Sequence, residues 1–165
     1  MSTQYLTIKS TDLLPIAKIK RLHIVDDKDR ASLAKLGDRG SAERFNTRLE
    51  LAPKGKSYAT ENIDELAYQG VALVQVDQRA FVPAVNIIKA RNLTLKDREA
   101  FKTKTGRDMR DHFKAQVETV AGTLLTGITA EQAMERLDRS YMPEPVPTAQ
   151  TSSEPVTAVS PTSEP

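Results

Sequence analysis

The sequence predicts an α+β protein: an antiparallel β-sheet body in its N-terminal part, followed by two to three α-helices and a disordered tail. Three observations carry this. Up to about residue 92 the apolar residues recur at strand spacing, and from Thr94 they recur at helical spacing. Turn residues punctuate the strand-like region. From Met142 the chain reads MPEPVPTAQTSSEPVTAVSPTSEP, with six prolines, eight Ser/Thr and no Lys or Arg. Such a segment buries too little apolar surface to offset the entropy of ordering. One α+β domain over residues 1–141 and a disordered tail over 142–165 follow.

The elements fall in order. Tyr5–Lys9 is a short strand, and LLPIAKIKRLHIV (13–25) is a longer strand broken early by Pro15. Asp26–Gly40 is highly charged and reads as a loop with one turn of helix around Ala31–Leu36. In Arg44–Leu51 the residues Phe45, Thr47, Leu49 and Leu51 face one way and Arg44, Asn46, Arg48 and Glu50 the other, the mark of a strand with one wet face. Pro53–Gly55 turns into a brief strand, Lys56–Ala59. Thr60 caps a short helix that Gly70 stops. Val71–Val76, apolar apart from Gln75, reads as a central strand, and Asp77-Gln78-Arg79 turns it into Ala80–Val85 and Ile87–Arg91, bent near Pro83.

Thr94 with Asp97 forms a capping box for a helix through about Lys104. Beyond Gly106, Met109, Phe113, Val117, Val120 and Leu124 lie at helical spacing, which predicts a helix from Arg107 to about Leu125. Thr129 with Gln132 opens the last helix, stapled by Ile128 and Ala133 and ending near Arg139. No internal repeat is read from the sequence.

Charge narrows the function. All 24 Lys and Arg and 19 of the 22 Asp and Glu precede Met142, so that part carries 24 − 19 = +5. A mildly basic body fits an anionic partner. The absence of cysteine removes disulfides, thiolate metal sites and a cysteine nucleophile. No apolar run approaches the ~20 residues that span a bilayer, which makes a cytoplasmic protein without a membrane partner the expectation. His23 and His112 have no partner at metal-ligand spacing, and no phosphate-binding loop or nucleophile motif is present. The expectation is therefore a protein without metal, cofactor or catalytic residues.

The stretch TGRDMRDHFK (105–114) carries the main binding hypothesis. On a helix, Arg107, Arg110 and Lys114 share a face beside the free N–H groups of the first turn, an arrangement that holds anions. The alternative is an ordinary ion pair from Arg107 to Asp111, with Asp108 offsetting the helix dipole. A second anionic patch is offered by Lys18, Lys20 and Arg21, with a solvated sheet face as its alternative. In DQRAFVPAVNIIKARN (77–92), Phe81 offers a stacking surface, and Asn86 and Asn92 offer amides for a base or ribose edge. Phe81 as core and Asn92 as a loop residue are the competing readings.

LTIKSTDLLPIAKIKRL at the start, AFVPAVNIIKA later and the helices after it resemble the phage anti-Thoeris signal sponges over residues 5–125. Those small oligomeric proteins sequester cyclic ADP-ribose-type messengers and silence a host defence. The resemblance implies a homo-oligomer with Phe81 stacked on adenine, Asn92 on a ribose or base edge, and Arg107 and Arg110 on the diphosphate. The tail and the charged loop Asp26–Gly40 depart from that pattern. AFVPAVNII is also similar to the final strands of LytTR-type DNA-binding domains, which implies nucleic acid as the alternative partner. A third class is a non-enzymatic adaptor in a phage or plasmid assembly, using the 109/113/117/120/124 stripe as a coiled-coil seam.

Overall fold

The structure, a computed structural model, describes residues 4–36 and 42–140. It is α+β with antiparallel sheets. The chain opens with a hairpin, β1 (Tyr5–Ile8) and β2 (Asp12–Pro15). A 3-10 turn, Ile16–Lys18, leads into β3 (Ile19–Ile24), then α1 (Asp27–Lys35), the hairpin β4 (Thr47–Leu51) and β5 (Lys56–Ala59), and α2 (Ile63–Ala67). The same sequence of elements then recurs: the hairpin β6 (Leu73–Asp77) and β7 (Ala80–Pro83), a 3-10 turn Ala84–Asn86, β8 (Ile87–Asn92), α3 (Leu95–Thr105), the hairpin β9 (Ala115–Thr119) and β10 (Gly122–Thr126), and α4 (Ala130–Asp138).

The fold is thus an internal repeat, contrary to the reading of the sequence. β1 begins at residue 5 and β6 at 73, β2 at 12 and β7 at 80, β3 at 19 and β8 at 87, β4 at 47 and β9 at 115, each 68 positions on. Irregular backbone contacts repeat as well. Ile16 N–H donates to Gln4 at 2.9 Å and Ala84 N–H to Ala72 at 2.8 Å; Ala52 N–H donates to Lys18 at 2.8 Å and Val120 N–H to Asn86 at 2.9 Å. Hydrogen bonds at matched positions of loops are set by the whole local path of the chain, so their recurrence marks one supersecondary unit used twice.

The repeats are joined by a sheet. The strand order β5-β4-β3-β7-β6 places the second repeat's first hairpin beside β3 of the first repeat, with Leu22 opposite Phe81 and His23 opposite Ala80. The first repeat's hairpin β1-β2 stands alone, and β10-β9-β8 form a separate sheet. Leu6, Ile8, Ile19, Leu22, Leu49 and Leu66 build the main core, which Leu73 and Phe81 of the second repeat join, and Val74, Val76, Val82 and Leu124 build a second one within the second repeat.

Several elements differ from expectation. Residues 107–114 are not helical, and 115–126 form a hairpin in place of the expected helix. The stripe at 109, 113, 117, 120 and 124 satisfies helical spacing by coincidence: Ala115, Val117 and Thr119 alternate inward, Val120 is exposed, and Gly122 takes φ 127° at the turn. No helical seam exists there. The charged loop holds a nine-residue helix, α1, because Asp26 and Asp29 form a reciprocal capping box. Asn62 rather than Thr60 caps α2. Val71–Val76 leads into β6 at a sheet edge, not the centre; its apolar residues are explained by α4 packing across the strand. The two later capping boxes and the Ile128–Ala133 contact stand as read. The expected tail lies outside the described residues.

Candidate functional site

Each repeat has a mouth between the turn of its first hairpin and the start of its last helix. In the first repeat a carboxylate closes it. Glu61 accepts Lys9 N–H at 2.9 Å, Ser10 N–H at 2.8 Å and the Thr60 hydroxyl at 3.2 Å. Lys9 and Ser10 take φ of 50° and 63°, which turns their amides toward the same side. Burial pushes the Glu61 pKa up, but the N–H groups of Glu61, Ser10 and Lys9 outweigh it and hold the carboxyl below its ordinary value.

In the second repeat the residue just before the helix cap is Ile128, where the first repeat has Glu61 before Asn62. The mouth is open there. A cleft of about 520 Å³ is lined by Gln75, Asp77, His112, Lys114, Gly127 and Arg136, among others. Arg136 is fixed by donating to the Gln75 carbonyl at 2.8 Å, in the place where Gln69 grips the Thr7 backbone of the first repeat. His112 lies against Phe113 with ring centroids 4.1 Å apart and the planes tilted by 44°. Asp77 accepts Gln78 N–H at 2.8 Å, and its Oδ1 lies 3.2 Å from where a Cβ on residue 127 would stand, so Gly127 leaves that carboxylate its room. Among the described residues Lys114, His112 and Arg136 form no ion pair within 4.0 Å. Three basic groups and one carboxylate with an exposed rim suit a ligand carrying both anionic and hydroxyl groups.

Of the residues chosen from sequence, Lys114 alone lines this cleft. Arg107 and Arg110 are exposed in the loop after α3 and do not line it. Arg107 makes no pair with Asp111 either, and Asp108 takes Lys102 at 3.0 Å. The Arg110 carbonyl accepts from Arg98, as Ala42 accepts from Arg30 in the first repeat. Asn86 is 2% exposed and spends its amide on the carbonyls of Ile16 and Ile19. Asn92 ties β8 to α4, donating to Glu131 at 2.8 Å and accepting from Ala130 N–H at 2.8 Å. Phe81 is half-buried against the main core and lines a separate cleft of about 480 Å³ with Ile24, Asn46 and Ile63.

The second basic patch is divided. Arg21 forms a two-pronged contact with Glu50 at 3.0 and 3.2 Å. Lys20 lies over Gly122 of the β9-β10 turn, and Lys18 contributes its carbonyl to Ala52. Around Glu50, His23 approaches at 3.0 Å and Arg48 at 3.7 Å, and Arg48 continues to the buried Asp29. The His23 hydrogen bond, against burial and helped by Arg21, lowers the Glu50 pKa to about 2. Matched opposite charges make this network structural.

Sequence reasoning missed His112, Arg136 and Asp77 as neighbours because they come from three elements whose meeting depends on the repeat. The available signal was the pairing of Glu61 with Ile128 at matched positions. Among the described residues no three His, Cys, Asp or Glu are grouped to hold a metal ion, and no helix is long and apolar enough to cross a membrane. No protein-family model, curated protein or solved structure matches this chain.

Proposed function

We propose that the protein is a non-enzymatic binder of a phosphorylated, nucleotide-type small molecule, held in the cleft around Lys114, His112 and Arg136. One observation carries this reading: the fold seats a carboxylate at the mouth of the first repeat, and the second repeat replaces its donor, Glu61, with Ile128 and surrounds the opened space with basic groups. The volume falls in the range of small-molecule pockets, ~300–1,000 Å³. Phosphate oxygens would meet Lys114 and Arg136, and a ribose hydroxyl would meet Asp77. Binding without turnover of a cytoplasmic messenger is the mode implied by the resemblance to signal sponges.

The test is a thermal shift of the full chain with cyclic ADP-ribose and ADP-ribose, because a ligand of the folded state alone raises the melting temperature. The expected result is a rise with at least one probe, removed in Lys114→Ala/Arg136→Ala, and recovery of the probe with unchanged mass after denaturation. No shift with either probe, or duplex DNA binding of steep salt dependence in its place, overturns the reading.

A further inference from the structure

We infer that a second copy of this chain adds its β1-β2 hairpin to the open edge of β8, repeating between molecules the joint that already links the two halves within one. This inference is independent of the ligand reading. The joint inside the molecule runs head to tail: β7 of the second repeat pairs with β3 of the first, while their counterparts, β2 and β8, do not pair with each other. A two-fold joint would have used both. Among the described residues β1 and β6 are matched outer strands without a neighbour on that side, and so are β5 and β10. Only β2 and β8 are open where their counterparts are paired. A head-to-tail joint of this kind leaves one donor and one acceptor end, and repetition closes a ring or extends a filament.

The register follows from the internal joint. Leu22 opposite Phe81 becomes Ala90 opposite Leu13 of the second copy, and His23 opposite Ala80 becomes Arg91 opposite its Asp12. Arg91 is held by Asp97 at 2.7 Å and Asp12 by Lys9 at 4.0 Å, so this register joins two existing ion pairs without opposing like charges. The hydrogen bond from Ile24 N–H to Arg79, 3.0 Å, becomes one from Asn92 N–H to Thr11 of the second copy. Leu13 is 66% exposed, whereas its counterpart Phe81 is packed against the main core. A large apolar side chain left bare at the position that forms the internal joint is explained when a second copy covers it.

The test uses the full chain in light scattering and a cross-link. The chain contains no cysteine, so a Leu13→Cys/Ala90→Cys double variant reports on that pair alone. Opposed residues of an antiparallel pair stand about 4.5–5.5 Å apart at Cα, within disulfide reach. The expected results are a wild-type mass at or above twice the monomer and an oxidised ladder running past dimer that collapses on reduction. Leu13→Asp, which changes an exposed side chain, is expected to return the mass to monomer with an unchanged circular dichroism spectrum. A monomeric wild type without a ladder overturns the inference. So does a ladder that stops at dimer and is equally formed by Leu13→Cys alone, since that joint is two-fold.

Discussion

The side chain of Asn86 donates to the carbonyl of Ile16 at 2.8 Å and to that of Ile19 at 3.0 Å, linking the 3-10 turn of one repeat to that of the other. The amide is buried, so its removal takes a donor from each carbonyl away from water, leaving that of Ile16 with Ile19 N–H alone. Asn86→Ala is expected to cost about 2–3 kcal/mol. A urea titration checks this. A loss under 0.5 kcal/mol would show that the joint does not need this amide, and a loss of ligand affinity at unchanged stability would return Asn86 to the binding role read from sequence.

Glu50 sets an acid limit. Its folded pKa, about 2, lies below the ordinary 4.5, first through His23 and then through Arg21. A depressed carboxyl contributes stability above its unfolded pKa and loses it as pH falls toward the folded one, so the window runs from about 4.5 down to about 2. After discounting for partial exposure the contribution is on the order of 1–2 kcal/mol. Urea midpoints between pH 5 and 2.5 are expected to fall less steeply in Glu50→Gln than in the wild type; parallel curves would remove Glu50 from the acid response.

Gly106 ends α3 at φ 71°, with no heavy atom within 4 Å of where a Cβ would stand. Gly106→Ala therefore meets backbone strain without a clash and is expected to cost about 1 kcal/mol. A melting temperature equal to or above the wild type would show that the helix end is not held left-handed.

The class of the fold and the capping boxes at Thr94 and Thr129 were legible because each depends on residues three or four apart. The repeat was also written in the chain: Lys28-Asp29-Arg30 and Lys96-Asp97-Arg98 stand 68 positions apart, as do Pro15 and Pro83, and Ile19 and Ile87. It was obscured because most matched positions keep only their polarity, as in Leu22 and Ala90 or Asp26 and Thr94. The 107–125 stretch failed for a different reason. Its apolar residues fit two periods at once, and the turn at Val120-Ala121, followed by Gly122 at φ 127°, decides between them. The cleft was the least legible feature. Lys114 was visible as a cation, but Arg136 and Asp77 reach it only through the packing of α4 on β6.

That cleft predicts opposite effects from two neighbouring changes, which separates electrostatics from unfolding. Asp77 places a carboxylate among Lys114, His112 and Arg136. Asp77→Asn retains an oxygen to accept Gln78 N–H but removes the charge, so affinity for inorganic pyrophosphate is expected to rise several-fold. Lys114→Ala is expected to lower it about tenfold, in line with one charge-assisted hydrogen bond. Arg107→Ala and Arg110→Ala, outside the cleft, are expected to change it by no more than about twofold, the scale of a screened surface charge. Isothermal titration of all four variants at one ionic strength checks the set. Equal losses in the loop and cleft variants would move the anion to TGRDMRDHFK, and no response to Asp77→Asn would place it away from that carboxylate.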